Sequence, residues 1–160
     1  MLPNIGTTKL DVQKTDGMFT IALIPPTLLD GFWKVLKTEL EKDPTLWNKG
    51  QSVESIRCQI ELGELLLWVI VKDGCVYLTF LTMFYQYATS KSLQIVWAMG
   101  SGLEKYIAMS LSALETYALA TGCSQVEIIG RMGWKKPLMP FNYIQTQTTF
   151  VKTLQTERMN

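Results

Sequence analysis

The residues that could do chemistry gather between Leu93 and Phe141, in LQIVWAMGSGLEKYIAMSLSALETYALATGCSQVEIIGRMGWKKPLMPF. A short apolar strand ends at Gly100, a long amphipathic helix follows, and a second short strand, VEIIG, ends at Gly130. Strand, helix and strand in so short a span make a βαβ unit with its two strands parallel. Such a unit brings a helix N-terminus and strand ends to one edge, where α/β proteins bind ligands. Arg131 follows the second strand directly and could hold an anion or pair with an acid. Stacking against Trp134 to pin the turn is its structural alternative.

Other chemistry is excluded by composition. The chain has no histidine, which removes the commonest general base, the Ser-His and Cys-His pairs and most zinc sites. Cys58, Cys75 and Cys123 are odd in number and lack CxxC spacing. They fit buried thiols in a reducing compartment better than disulfides or zinc. Lys135 and Lys136 are too short a run for a nucleic-acid patch. The five tryptophans and eight methionines read as core or interface.

The 160 residues are 48% hydrophobic and 18% charged, with a net charge of +1. That suits one folded domain with an ordinary core and argues against disorder. A near-neutral chain gives no footprint for nucleic acid or an anionic membrane. No apolar run approaches the about 18 residues of a membrane span. The opening MLPNIGTTKLDVQKTDG lacks an apolar stretch, which argues against export by a signal peptide.

These residues need a scaffold. Residues 1–17 read as a polar arm or lead-in, and residues 18–160 as one domain. Residues 18–24 read as a strand stopped by Pro25 and Pro26. Thr27 is placed to cap a helix over 28–42, with Leu29, Phe32, Trp33, Leu36 and Leu40 on its buried side. Asp43-Pro44 ends that helix. A second helix starts at Ser52 and stops at Gly63. Residues 65–71 form a doubly covered strand, and Asp73-Gly74 turns it into a return strand over 75–85. The strand at 93–98 leads to the central helix, where Ser101 and Glu104 have capping-box spacing. Leu103, Ile107, Leu111, Leu114 and Ala118 form its apolar stripe. After the strand at 126–129 come a short helix or turn over 134–141 and a closing strand over 146–154.

This order, β-α-α-β-β-β-α-β-(α)-β, resembles the GNAT (Gcn5-related N-acetyltransferase) fold over residues 18–154. More closely, the chain resembles short GNAT-like proteins encoded by tailed bacteriophages and prophages. The resemblance rests on Leu23-Ile-Pro-Pro-Thr-Leu-Leu-Asp-Gly-Phe-Trp33, Leu67-Trp68-Val69, Gly122-Cys123, Ile129-Gly130-Arg131-Met132-Gly133-Trp134 and Val151-Lys152-Thr153-Leu154. It implies an α/β fold: a single GNAT-like acyl-CoA N-acyltransferase domain, its mixed sheet mostly antiparallel around the βαβ unit.

In an active GNAT enzyme, a loop of the type Arg/Gln-x-x-Gly-x-Gly/Ala precedes the central helix and holds the CoA pyrophosphate on backbone N–H groups. Here the nearest match is Trp97-Ala-Met-Gly100-Ser101-Gly102, with tryptophan where a basic or amide residue stands; counted back from Gly122 by the usual helix length, the loop falls instead on Gly102-Leu-Glu-Lys105-Tyr-Ile107, which lacks suitable glycines. Gly100, Ser101 and Gly102, with Arg131, are the candidate cofactor-binding residues; a plain turn into the helix is the alternative. GNAT enzymes often use a tyrosine four residues before a Gly-Phe pair as general acid. Pro140-Phe141 stands in that place, so the matching residue is Lys136, and Tyr143 is the candidate substitute. Glu127, or a water, is the candidate base; outward alternation on a strand is the alternative reading of Glu127.

Two functions follow from the resemblance, and a third, a small regulatory protein that binds a host factor, stays open beside them. One is a virion or assembly protein of a bacteriophage, without turnover. It would partner other phage structural proteins, with no membrane and no specific nucleic acid, and sit in the virion and, during assembly, the host cytoplasm. No cofactor is expected on that reading. The other is a CoA-dependent N-acetyltransferase acting on an amine, with acetyl-CoA as its cofactor.

Overall fold

The computed structural model describes residues 11–16, 19–43, 50–100, 102–130, 132–152 and 154. The chain divides into two units, Met1–Gly130 and Arg131–Asn160.

The first unit is built on six strands: β1 (Asp11–Asp16), β2 (Phe19–Ile24), β3 (Leu66–Lys72), β4 (Cys75–Gln86), β5 (Lys91–Gly100) and β6 (Gln125–Ile128). They lie in the sheet in chain order. All neighbours are antiparallel except β5 and β6, which are parallel. This is the expected mixed sheet with its βαβ unit. β1 corrects the reading of an arm or lead-in for residues 11–16; residues 1–10 and 17 lie outside the described residues. Asp11–Asp16 pairs with β2, and a polar run can do so because an edge strand need not carry an apolar alternation.

Three helices cover the sheet: α1 (Leu29–Glu41), α2 (Val53–Glu61) and α3 (Leu103–Ala120). Leu29, Phe32, Leu36 and Leu40 of α1 join Val53, Ile56 and Ile60 of α2 over Ala22, Leu67, Val69 and Leu81. On the opposite face, α3 packs Tyr106, Met109, Ala113, Leu114 and Ala118 against Ile21, Trp68, Ile70, Phe80 and Leu93. The stripe of α3 is therefore rotated from the expected one. Ile107 is only half-buried, and Tyr106 and Met109 take the core positions beside Leu111 and Leu114.

Local signals account for most element ends. The side chain of Ser52 accepts from the Ser55 N–H while Ser55 accepts from the Ser52 N–H, a reciprocal cap for α2. Asp73 (φ 50°) and Gly74 (φ 74°) take the two left-handed positions of the β3–β4 turn. Thr27 does not cap α1, because Pro26–Leu28 forms a 3-10 turn ahead of it. Of the cysteines, Cys123 is buried as expected, whereas Cys58 and Cys75 are exposed.

The second unit holds 3-10 turns at Met132–Trp134 and Met139–Phe141 around the four-residue helix α4 (Lys135–Leu138). The closing strand expected over residues 146–154 does not form; the described residues there carry no strand pairing. Phe150 and Val151 are 93% and 83% exposed, so these strand-favouring side chains have no covering surface.

Candidate functional site

The site is made by the point where β5 and β6 come apart. Four residue pairs align them, from Ser92 with Gln125 to Ile95 with Ile128. One further backbone bond follows, from the Ile129 N–H to the Ile95 carbonyl at 3.1 Å. β6 then ends, while β5 runs on to Gly100. From Val96 onward, β5 has a strand neighbour only on its β4 side among the described residues.

A bulge lies at the same point. Leu81 of β4 faces Trp97, but Thr82 faces Ile95, so Val96 is an extra residue on β5. Val96 and Trp97 consequently both pack toward the α1–α2 core, which strict alternation would forbid. A bulge bends and overtwists its strand. Here it turns the end of β5 away from β6 and leaves one backbone edge without a strand partner, about 16 Å long at about 3.3 Å per residue.

That edge leads into the N-terminus of α3. Gly100 has φ 148° and passes so close to β4 that a Cβ would lie 2.4 Å from the Tyr77 carbonyl oxygen. Gly102 is left-handed (φ 74°) and is the N-cap residue of α3, with no side-chain cap. This replaces the expected Ser101–Glu104 capping box. Lys105 N–H bonds back to the Gly102 carbonyl at 2.9 Å. Among the described residues, no side chain caps the N–H groups of Leu103 and Glu104, which lie at the positive end of the α3 dipole.

Charge around this end is mixed. Lys72 and Lys105 place their Nζ atoms 4.9 and 5.9 Å from the centre of the Phe19 ring. That ring meets Tyr106 of the first turns of α3 edge-on at 4.9 Å. Lys105 thus brings a cation into the first turn of α3 and Lys72 a second onto the same Phe19 ring, while exposed Glu104 opposes an anion there. On the α1 side, a hollow of about 300 Å³ is lined by Val35, Glu39, Lys42, Thr79, Met99 and Gly100.

Glu127 occupies the closed side of the parting. Leu93 and Ile95 face α3, so Ser92 and Gln94 face the α1–α2 side, where Glu127 stands opposite Gln94. Its Oε2 accepts from Ser92 Oγ and Gln94 Nε2, both at 2.6 Å. Its Oε1 accepts from Tyr87 Oη at 2.7 Å and Gln125 Nε2 at 3.2 Å. Partial burial pushes the carboxyl pKa up, but hydrogen bonds from Ser92, Tyr87 and Gln94 outweigh it and hold the group below its ordinary value. The same bond, with desolvation, raises Tyr87. A carboxylate with four donors and a lowered pKa makes a weak base.

The structure thus brings Gly100 and Gly102 to the helix start and separates Glu127 from it by the bulge. Ser101 and Arg131 lie outside the described residues. Tyr143 belongs to the second unit and is half-buried. Tyr87, Ser92, Gln94 and the bulge at Val96 were not singled out in the sequence. The only signal was polar Ser92 and Gln94 alternating with Leu93 and Ile95 on a strand that then turns wholly apolar. Among the described residues, no group of His, Cys, Asp and Glu gathers that could hold a metal ion, and no helix is long and apolar enough to cross a membrane.

No protein-family model matches the chain, and no curated protein matches it. Solved structures do. An aminoglycoside N-acetyltransferase in complex with CoA superimposes at TM-score 0.63 and 11% identity, covering 89% of this chain and 99% of that one. A predicted acetyltransferase from Clostridium acetobutylicum with acetyl-CoA gives 0.61 and 10%, covering 85% and 96%. Ribosomal-protein-alanine N-acetyltransferase from Brucella melitensis biovar Abortus gives 0.62 and 12%, covering 84% and 99%. At such identities the likeness establishes the fold: the chain has the α/β fold of GNAT acetyltransferases.

Proposed function

We propose that this chain binds an acyl-CoA in the parting of β5 and β6 and transfers the acyl group to an amine. The observation that carries this reading is the coincidence of three features on one strand. Pairing with β6 stops at Ile95, a bulge follows at Val96, and the freed edge runs into a helix N-terminus at Gly102 that no side chain caps among the described residues.

The residues present fit such a ligand. The edge from Val96 to Gly100 offers backbone N–H and C=O groups to an extended chain bearing amides, as an added strand would use them. The N–H groups of Leu103 and Glu104, with the dipole of an 18-residue helix, suit a diphosphate. Lys72 and Lys105 add positive charge at that end. The thioester, when bound, supplies an electrophilic carbonyl. Acyl transfer makes a C–N bond, breaks a C–S bond, and moves one proton from the amine to the leaving thiolate. Because Glu127 is saturated with donors, water takes the proton from the amine. What the protein contributes is alignment of the two reactants, which alone removes a large part of such a barrier.

Calorimetry with CoA and with acetyl-CoA tests this. Micromolar affinity is expected; no heat at millimolar ligand would overturn it. A second reading draws on the engagement of Glu127: a bacteriophage virion or assembly component that keeps the fold without turnover. Mass spectrometry of purified particles tests that reading, and absence of the chain from them would overturn it.

A further inference from the structure

The parting of β5 and β6 needs a fixed apex. Backbone pairing alone is thin there, since β6 has four residues and ends at Ile128. Side chains supply more. The Glu127 carboxylate reaches from β6 onto two residues of β5, Ser92 and Gln94, and onto Tyr87 at the β4–β5 turn. Ser92 is fully buried and Gln94 is 9% exposed, so their polar atoms depend on this partner. None of the ion pairs found among the described residues involves Glu127, and its partners are all neutral. Its charge is held by donors alone.

We propose that Glu127 is a positioning residue: its carboxylate clasps β6 to β5 and the β4–β5 turn, and so sets the place and width of the opening that receives acyl-CoA. The proposal rests on the acyl-CoA reading for its functional side and revises the role of Glu127 from general base. Four donors occupy the acceptor positions a base would need free. Two of the four come from residues too buried to turn to water. Loss of the clasp frees the apex, whereas a glutamine in its place keeps the reach. An amide can still accept from Gln94 and Ser92, while the Tyr87 hydroxyl and the Gln125 amide can turn to accept.

Amide hydrogen exchange, read on the protein without ligand, gives the first arm. Glu127→Ala should speed exchange at the Ile129 N–H, which bonds to Ile95 at the apex, by about tenfold. Glu127→Gln should change it by less than about threefold, and exchange in β3 should stay unchanged in both. Should Glu127→Ala not fold, Tyr87→Phe, which removes only the outer hydroxyl, carries this arm with a rise of about threefold. Wild-type exchange at Ile129 in the folded alanine variant, or in Tyr87→Phe where it stands in, overturns the proposal. The second arm compares CoA affinity and turnover. Glu127→Ala should weaken CoA and raise KM, with Glu127→Gln restoring both to within about threefold of wild type. If Glu127→Gln abolishes turnover while CoA affinity is unchanged, Glu127 is the base and the clasp is overturned. Failure of wild type to bind CoA would defeat the acyl-CoA reading and leave the exchange arm to decide the clasp.

Discussion

Trp97 of β5 donates its indole N–H to the carboxylate of Asp43 at 2.8 Å, joining the strand just past the bulge to Asp43, two residues beyond the end of α1. Both are nearly buried, at 9% and 8% exposure. The bulge at Val96 is what points Trp97 to this side of the sheet. The bond thus ties the diverging end of β5 to the α1 layer. Asp43→Ala should destabilise the fold by about 1–3 kcal/mol, because it leaves a buried indole N–H without this acceptor. Asp43→Asn keeps an acceptor oxygen and should cost less. Urea denaturation of the two variants checks the order, and an equal loss in both would point to the charge rather than the hydrogen bond.

The two glycines before α3 should behave differently. Gly100→Ala places a Cβ 2.4 Å from the Tyr77 carbonyl oxygen and 2.9 Å from the Leu78 Cα, at φ 148°. Backbone must move to admit it, and a loss of about 2–4 kcal/mol is expected. Gly102→Ala meets only the Tyr106 ring edge at 3.6 Å. Its cost is that of a left-handed alanine, about 1 kcal/mol. Thermal melts of both variants test this ranking.

The hydrogen bonds around Glu127 make stability depend on pH in a known direction. Its folded pKa lies below the unfolded value. Its contribution is therefore complete above the ordinary carboxylate range, and it is lost as pH falls through the lowered folded value. Tyr87, with its pKa raised, acts at the other end. The benefit of its bond is complete below the unfolded tyrosine value and is lost as pH rises through the folded one. The gap in denaturation midpoint between wild type and Glu127→Gln should be constant near neutrality and shrink in acid. A gap that widens in acid would contradict the assignment.

Exposed Glu104 in the first turn of α3 gives a prediction about binding. Its charge suits the helix dipole but repels a diphosphate. Glu104→Gln should tighten CoA by a few-fold at low ionic strength, with the gain fading as salt is added. Calorimetry at two salt concentrations measures it, and weaker binding by the variant would show that the diphosphate lies elsewhere.

Much of this architecture was legible from local patterns, for separate reasons in each case. Asp73-Gly74 dictates a tight turn, so β3 and β4 followed directly. Gly122 and the apolar run after it made the parallel partner of β5 readable. The polar edge strand Asp11–Asp16 was hidden because one-sided pairing leaves no hydrophobic signature. Residues 146–154 misled for the opposite reason: threonine, phenylalanine and valine suit a strand, but such propensity reports only fitness for a pleated surface, not a neighbour. For the site, Gly100 and Gly102 were visible as glycines at a strand-to-helix junction. The four donors on Glu127 were not, because they depend on the register of a parallel pair and on a turn 40 residues earlier. Local sequence carries neither.

The last prediction concerns the centre of the sheet. Trp68 and Thr82 are both fully buried, and the indole Nε1 donates to the threonine Oγ1 at 3.0 Å. Thr82 lies beside Ile95 on β5, immediately before the register shift, so this bond ties β4 to β3 at the point where β4 faces the bulge. Thr82→Val nearly conserves volume but replaces the acceptor with a methyl group. It should cost about 1–3 kcal/mol by leaving the indole N–H unpaired. Thr82→Ser retains the acceptor, loses one methyl group and should cost about 1 kcal/mol. Greater damage from serine than from valine, measured by urea denaturation, would mean that packing at this point outweighs the hydrogen bond. In that case the brace would be the Trp68 ring stacked on Phe80, their centres 6.0 Å apart.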